Sequence, residues 1–113
     1  MKVVRDNQRI EYQNNNVCKA FEYPMADKDI SGAVIELTGR YPDKNYTINL
    51  EVKGMAYVVK GSGKLVVNGK EEIISEGDLI IIEAKEKFYW EGNMTLFMPC
   101  TPAWTSDQHK ETA

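Results

Sequence analysis

The sequence is poor in the two residue types that most often build metal sites and nucleophilic sites. It has one histidine and two cysteines in 113 residues. Two cysteines are too few for a disulfide framework, so we expect Cys18 and Cys100 to be free thiols. His109 is a single imidazole in a polar C-terminal segment, where a solvated side chain is expected. A zinc site built from these three residues is disfavoured, because the cysteines are not in a ligand-spaced pair.

The sequence also lacks a surplus of charge and a long apolar run. Its net charge is −3, and acidic and basic residues are mixed along the chain. No basic face for nucleic acid or polybasic run for membranes is present. No apolar run approaches the length of a bilayer span, and the N-terminus has no signal-peptide core. These features predict a cytoplasmic protein with no nucleic-acid partner and no membrane partner.

Helical spacing is absent as well, and short β-type runs take its place. β-branched and aromatic residues alternate with glycine turns, which predicts about eight to ten short strands. The better-defined ones cover 17–23, 33–38, 46–52, 55–60, 64–67, 70–74, 79–82, 87–91 and 94–99. Gly61 and Gly63 are expected to bend the chain, Gly92 to turn it, and Asn68-Gly69 to form a type I′ hairpin turn. The pattern is typical of an antiparallel sandwich or barrel.

One stretch of these strands carries a resemblance to a known family. It reads YVVKGSGKLVVNGKEEIISEGDLIIIEAKEKFYW, with a strand ending in Gly-Ser-Gly, an Asn-Gly hairpin, and an acidic turn before a buried strand. It resembles the core of a small cupin, over about 46–99. The resemblance implies an all-β, cupin-type double-stranded β-helix or jelly-roll barrel. It implies one domain over 1–113, with N-terminal strands in 1–45 and a C-terminal tail in 100–113. It also implies a pocket between two sheets and a homodimer.

The resemblance fails at the positions where cupins bind metal. Anchoring the family's first motif on Gly61 puts its glutamate at Gly54, and the second motif puts its histidine at Phe88. The two histidines of the first motif fall at Ile48 and Leu50, or at Thr47 and Asn49 with the longer spacing. None of these side chains is an imidazole or a carboxylate, the groups that bind such ions. We therefore expect no metal and no other cofactor, which disfavours a metal-dependent dioxygenase or isomerase.

Metal-free sugar epimerases also resemble cupins, and they use a histidine base with a tyrosine acid. The absence of histidine from the barrel region disfavours this reaction class too.

Strand alternation, counted from the positions that the resemblance assigns to the family's ligands, implies which side chains line a pocket between the sheets, and for the last strand the alternation alone is used. The candidates are Ile48, Leu50, Ala56, Val58, Phe88, Trp90, Met98 and Cys100. This lining is apolar with two aromatic rings, which favours a small apolar or aromatic ligand. The alternative is a filled core with no cavity, as in many small barrels.

Three functions remain open at this point. The first is a metal-free module that binds or senses a small molecule as a homodimer. The second is a small enzyme with an unconventional site, using Cys100 together with Tyr57 or Glu91. The third is an assembly protein whose filled barrel only presents a dimer surface. Trp104 is large and apolar within a polar segment, so it either folds back onto the barrel or contacts a second subunit.

Overall fold

The computed structural model describes residues 1–112, which form nine β-strands and two single-turn 3-10 helices. The strands are β1 (Ile10–Asn15), β2 (Cys18–Glu22), β3 (Ser31–Tyr41), β4 (Tyr46–Asn49), β5 (Lys53–Val67), β6 (Lys70–Ser75), β7 (Leu79–Ile82), β8 (Lys87–Thr101) and β9 (His109–Thr112). The 3-10 turns cover Asp6–Gln8 and Ser106–Gln108. The all-β prediction is confirmed. Within the described residues, no helix is both long and apolar enough to cross a membrane.

All strands belong to one curled antiparallel sheet, which folds over so that its two halves face each other. One half runs in the order β1-β2-β3-β8-β5-β7, and the other in the order β9-β4-β8-β5-β6. The two long strands β5 and β8 take part in both halves and pair with each other over nearly their whole length. This arrangement is the jelly-roll barrel that the sequence predicts.

Glycines bend β5 and β8 without ending them, which corrects the expectation of separate strands at 55–60, 64–67, 87–91 and 94–99. Gly63 lies opposite Gly92 where the two strands cross between the halves of the sheet. A Cβ on Gly92 would collide with the backbone of Ser62 and Gly63. The absence of side chains therefore lets the two backbones approach closely at the bend.

The core fills the space between the two halves. β5 alternates strictly here, with Ala56 and Val58 buried and Tyr57 exposed. The buried cluster comprises Cys18, Leu37, Ala56, Val58, Leu65, Ile74, Ile82, Phe88, Trp90, Met94 and Leu96. Its members come from both halves, so the cluster holds the two faces together through removal of apolar surface from water.

Two local predictions have different outcomes. Asn68 and Gly69 both have positive φ, of 49° and 82°, as a type I′ hairpin turn between β5 and β6 requires. His109 was expected to be a solvated side chain in the polar C-terminal tail, and this prediction is wrong, because its ring is hydrogen-bonded by three side chains. His109–Thr112 form β9, which pairs with β4 in the register Asn49 to His109 and Thr47 to Glu111.

Candidate functional site at the barrel mouth

Several strands end or begin at one end of the barrel, which we call the barrel mouth. Its residues are Glu22, Ser31, Asn49, Cys100, Trp104 and His109. Trp104 connects the two halves of the sheet across this end. Its backbone N–H donates to Ser31 Oγ at 3.0 Å, and its indole Nε1–H donates to Asn49 Oδ1 at 3.3 Å. The side chain therefore folds back onto its own barrel, one of the two alternatives that the sequence left open.

The side-chain amide of Asn49 is held in one orientation. Its Oδ1 accepts from Trp104 Nε1 and from Gln108 Nε2, the latter at 3.2 Å. Indole and primary amide nitrogens are donors only, so the Asn49 atom that they face must be the oxygen. Asn49 Nδ2 makes no hydrogen bond with residues 1–112, and its two N–H groups are free to meet another molecule.

The orientation of Asn49 also determines the tautomer of His109. His109 Nδ1 lies 2.7 Å from Asn49 Oδ1, and because that oxygen can only accept, Nδ1 carries the proton. In the neutral imidazole, Nε2 then has the lone pair. It lies 2.9 Å from the Tyr41 hydroxyl and 2.9 Å from Thr47 Oγ1. Tyr41 therefore donates its proton to Nε2, while Thr47 has a second acceptor in the carbonyl of Lys110 at 3.1 Å.

Burial keeps this pair uncharged at neutral pH. Desolvation lowers the pKa of His109 from its ordinary value of 6.5, which favours the neutral ring. Desolvation raises the pKa of Tyr41 to about 12, with smaller contributions from the nearby Cys18 and Glu111. Tyr41 is therefore a proton donor with its hydroxyl intact, and His109 is the base that it faces.

Glu22 lies on the facing half of the sheet, at the end of β2. It shares the inner side of that strand with the buried Cys18 and Ala20, and it is directly opposite Ala33 on β3. Its carboxylate has no hydrogen bond or ion pair with any residue that the structure describes. Desolvation by burial alone raises the pKa of Glu22 above its ordinary value. An unpaired, partly desolvated carboxyl group at a mouth is typical of a functional site.

Cys100 lies beside Ser31, with 3.3 Å between Sγ and Oγ, and it is half-buried. Its pKa is raised, chiefly by desolvation and to a smaller extent by the charge of Glu22. Cys18 is buried. Both cysteines are free thiols, as predicted.

The structure does not bring Cys100 together with Tyr57 or Glu91. The prediction that Cys100 acts with one of these two residues is therefore wrong. Tyr57 is on the outer side of β5 and is 43% exposed. Glu91 pairs with Lys64 on the surface. A thiol with a raised pKa is also a poor nucleophile, because the thiolate is the reactive form.

The predicted pocket residues divide into buried, half-buried and exposed positions. Ala56, Val58, Phe88 and Trp90 are buried in the core, and Ile48, Met98 and Cys100 are half-buried. Leu50 is 40% exposed, which corrects its assignment to the interior. The inward residues of β4 are instead Thr47, which is fully buried, and Asn49. Contact between the buried and half-buried residues and a ligand stays a prediction.

The donor set at the metal positions of the cupin motif does not fit a transition metal. With β4 in its observed register, the two histidine positions are Thr47 and Asn49, and both side chains are already hydrogen-bonded to His109. The glutamate position is Gly54, and Phe88 occupies the histidine position of the second motif. Residues 1–112 contain no cluster of three or more histidine, cysteine, aspartate or glutamate side chains that could hold an ion.

A groove lies on the outer side of Trp104. Its volume is about 710 Å³, and its lining consists of Ala26, Asp27, Lys28, Asp29, Ala103, Trp104 and Thr105. Trp104 is 37% exposed, so one part of the indole faces this groove while another packs near His109, with 5.5 Å between ring centroids. Trp104 therefore separates the groove from the polar groups inside the mouth.

Sequence reasoning missed most of the mouth. Asn49 and Thr47 were recognised only as positions without a metal ligand, and His109 was placed in solvent. For Glu22 a signal existed, because alternation with Cys18 and Ala20 puts it on the inner side of β2. For Tyr41 and His109 no local signal existed, since their contact joins residues 68 positions apart.

Comparisons with known proteins agree with this architecture. The family model of the cupin domain matches residues 51–98. No curated protein gives a significant sequence match. Pac13 from Streptomyces, described as a unique nucleoside dehydratase, superposes with a TM-score of 0.89 at 14% identity, over 99% of this chain and 91% of that chain.

Two further solved structures have the same fold at similar identities. KdgF from Halomonas sp. has a TM-score of 0.75 at 12% identity, over 95% of this chain and 97% of that one. Ectoine synthase from P. lautus has a TM-score of 0.75 at 14% identity, over 100% and 91%. Identities this low establish the fold alone. Together with the match of the cupin-domain model to residues 51–98, they show that the chain has the fold of a cupin jelly-roll barrel.

Proposed function

We propose that this chain is a metal-independent cupin that binds a small polar molecule with a planar ring at the barrel mouth. The observation that carries the proposal is the convergence of Asn49, His109 and Trp104 there, with the amide oriented and the imidazole neutral. Binding sites of this kind combine an apolar wall with a few well-placed polar groups. The buried side chains of β5 and β8 supply the wall.

The groups at the mouth favour a ligand with both an aromatic face and hydrogen-bonding edges. Asn49 Nδ2 offers two free N–H donors, and the Glu22 carboxyl group has no partner among the described residues. The indole of Trp104 offers a face for stacking. A nucleoside has these features, and variants of Pac13 are described in complex with uridine. We therefore propose nucleosides as the first ligand class to test.

Calorimetric titration with uridine, followed by a panel of other nucleosides, tests this proposal. Asn49→Leu removes both the amide donors and the oriented acceptor, so we expect at least a tenfold loss of affinity, about 1.4 kcal/mol. Ile73→Ser is the matched control, because Ile73 is 72% exposed on β6 and does not belong to the mouth. Equal affinities of the wild type and Asn49→Leu, with both variants folded, would contradict the proposed site. The absence of binding by every nucleoside would refute the ligand class.

Acid–base catalysis is a second candidate function, and Glu22 is the observation that favours it. Eliminations and isomerisations need a base and an acid at the same substrate. The Glu22 carboxyl group has no partner among the described residues and its pKa is raised, so it can serve as the acid or, once ionised, as the base. If turnover exists, Glu22→Gln should reduce kcat and remove one limb of the pH profile. Cys100→Ser should retain most activity, because its thiol is not activated. A larger loss in Cys100→Ser than in Glu22→Gln would overturn this assignment.

A further inference from the structure

The groove on the outer side of Trp104 has groups that the proposed function does not use. Its volume of about 710 Å³ lies within the range of sites that enclose a whole small molecule. Part of the Trp104 indole lines the groove, and the side chain is exposed enough to be stacked upon. A planar ring that stacks on this part of the indole therefore has the rest of its molecule over the groove.

The wall of the groove is held in place by contacts from two other segments. The wall belongs to the connection between β2 and β3. Lys2 donates to the carbonyl of Ala26 at 2.8 Å and pairs with the carboxylate of Asp27 at 3.7 Å. On the other side, the N–H of Ala103 donates to the carbonyl of Lys28 at 3.0 Å. The groove is therefore formed before a ligand arrives, which lowers the entropic cost of binding.

Two polar side chains in the groove remain free, and both suit hydroxyl groups. The Asp29 carboxylate has no hydrogen bond or ion pair with residues 1–112, although its backbone N–H donates to Asp27. The Thr105 hydroxyl also has no partner in the part of the chain that the structure describes. A carboxylate accepts strongly from a hydroxyl group, and one hydroxyl can both donate to and accept from another. A ring with several hydroxyl groups satisfies both side chains.

The charges around the groove do not favour a phosphate group. Asp27 is paired with Lys2, which leaves the ammonium group of Lys28 beside the carboxylate of Asp29. Glu22 adds a second unpaired carboxyl group at the barrel mouth. Phosphate is bound by concentrated positive charge or by the N–H groups of a helix N-terminus, and one lysine among carboxylates supplies neither. The groove therefore suits an uncharged group that is rich in hydroxyls.

We propose that the groove is the subsite for the sugar of a nucleoside whose base stacks on Trp104, and that Asp29 accepts hydrogen bonds from the sugar hydroxyls. This inference rests on the proposed function, because it requires the base to bind at the barrel mouth. It adds a specificity to that function. The nucleoside binds more tightly than its free base, and a 5′-phosphate adds no affinity.

Calorimetric titration with two matched ligand sets tests this subsite. The first set is uracil, uridine and uridine 5′-monophosphate, and the second is adenine, adenosine and adenosine 5′-monophosphate. Asp29→Ala removes the free carboxylate at an exposed position, so the fold should be retained. Glu76→Ala is the matched control, because it removes one carboxylate from the exposed turn between β6 and β7. Circular dichroism checks that both variants are folded.

We expect a nucleoside to bind about tenfold more tightly than its base, and Asp29→Ala to remove most of that difference while the affinity for the base stays unchanged. The Glu76→Ala variant should behave as the wild type. Equal affinities for nucleoside and base would overturn the sugar subsite and leave the proposed function intact. So would a loss in Asp29→Ala that the base shares, or a monophosphate that binds about tenfold more tightly than its nucleoside. Absence of binding by both sets would refute nucleosides as the ligand class, and this subsite with them.

Discussion

At the scale of single residues, the barrel mouth depends on the amide of Asn49. Its oxygen accepts from an indole, an amide and an imidazole, and it thereby sets the tautomer of His109. A ring nitrogen that is fixed in this way presents its lone pair in a defined direction. Asn49 is therefore a positioning residue, and its effect on His109 can be measured separately from any ligand.

Replacing Asn49 with aspartate should raise the pKa of His109. A carboxylate beside Nδ1 stabilises the imidazolium, whereas the amide oxygen carries no charge, and such pairs shift a pKa by about 1 unit or more. Because the chain has a single histidine, an NMR titration of its ring signals assigns the value without ambiguity. Asn93→Asp is the control, since it makes the same substitution at an exposed position on β8. An unchanged His109 pKa in Asn49→Asp would mean that the Nδ1 hydrogen bond is not formed.

His109 should also make stability depend on pH. Its folded-state pKa is lowered below the ordinary 6.5, so the unfolded chain binds more protons between these two values. The free energy of unfolding should therefore fall as the pH drops through 6.5, and the loss should level off below the folded-state pKa. Denaturant unfolding of the wild type and His109→Gln from neutral to mildly acidic pH measures this. If the two proteins show the same pH slope, His109 is not buried as the structure shows.

At the scale of elements, β5 and β8 decide the shape of the barrel. Each passes from one half of the sheet to the other at a glycine, and Gly61 adopts a φ of +86° next to the backbone of Asn93. The bulge between Val58 and Lys60 immediately precedes this bend. The sequence shows the glycines but not whether they end a strand or bend it, since both uses need the same residue.

A pair of alanine substitutions separates these two roles of glycine. Gly61→Ala should destabilise the fold by more than about 2 kcal/mol, because the added Cβ meets the Asn93 carbonyl and φ is positive. Gly69→Ala also has a positive φ, but a Cβ there meets nothing within 4 Å, so only a cost of about 1 kcal/mol is expected. Denaturant unfolding gives both values. Equal costs would contradict the tight crossing of β5 and β8.

The C-terminal strand β9 shows the limit of local patterns. Its sequence HKET has no apolar alternation and a low β-propensity, so nothing within it predicts a strand. It forms because β4 offers an edge and because His109 is hydrogen-bonded by Tyr41, Thr47 and Asn49. Tertiary contacts override propensity here. Because these contacts cannot be read from the local sequence, His109 was expected to be solvated.

At the scale of the whole molecule, the fold follows from the sequence far better than the site does. Alternation and turn residues are local, and they correctly placed β2, β6 and β7 to within two residues. The barrel mouth is assembled from chain positions as distant as Glu22 and His109, and no local sequence pattern spans that distance. The sequence identified which residues occupy the metal positions of the motif, but their hydrogen bonds to His109 depend on β9.

The most direct test of the central claim is native mass spectrometry of gently purified protein. The spectrum reports bound metal, retained small molecule and oligomer mass together. We expect no stoichiometric transition metal, because the mouth offers one imidazole whose two nitrogens are already hydrogen-bonded. We expect a retained organic mass that is lost in Asn49→Leu and kept in Ile73→Ser. A transition metal present at one ion per chain, and removed by chelation together with ligand binding, would contradict the account.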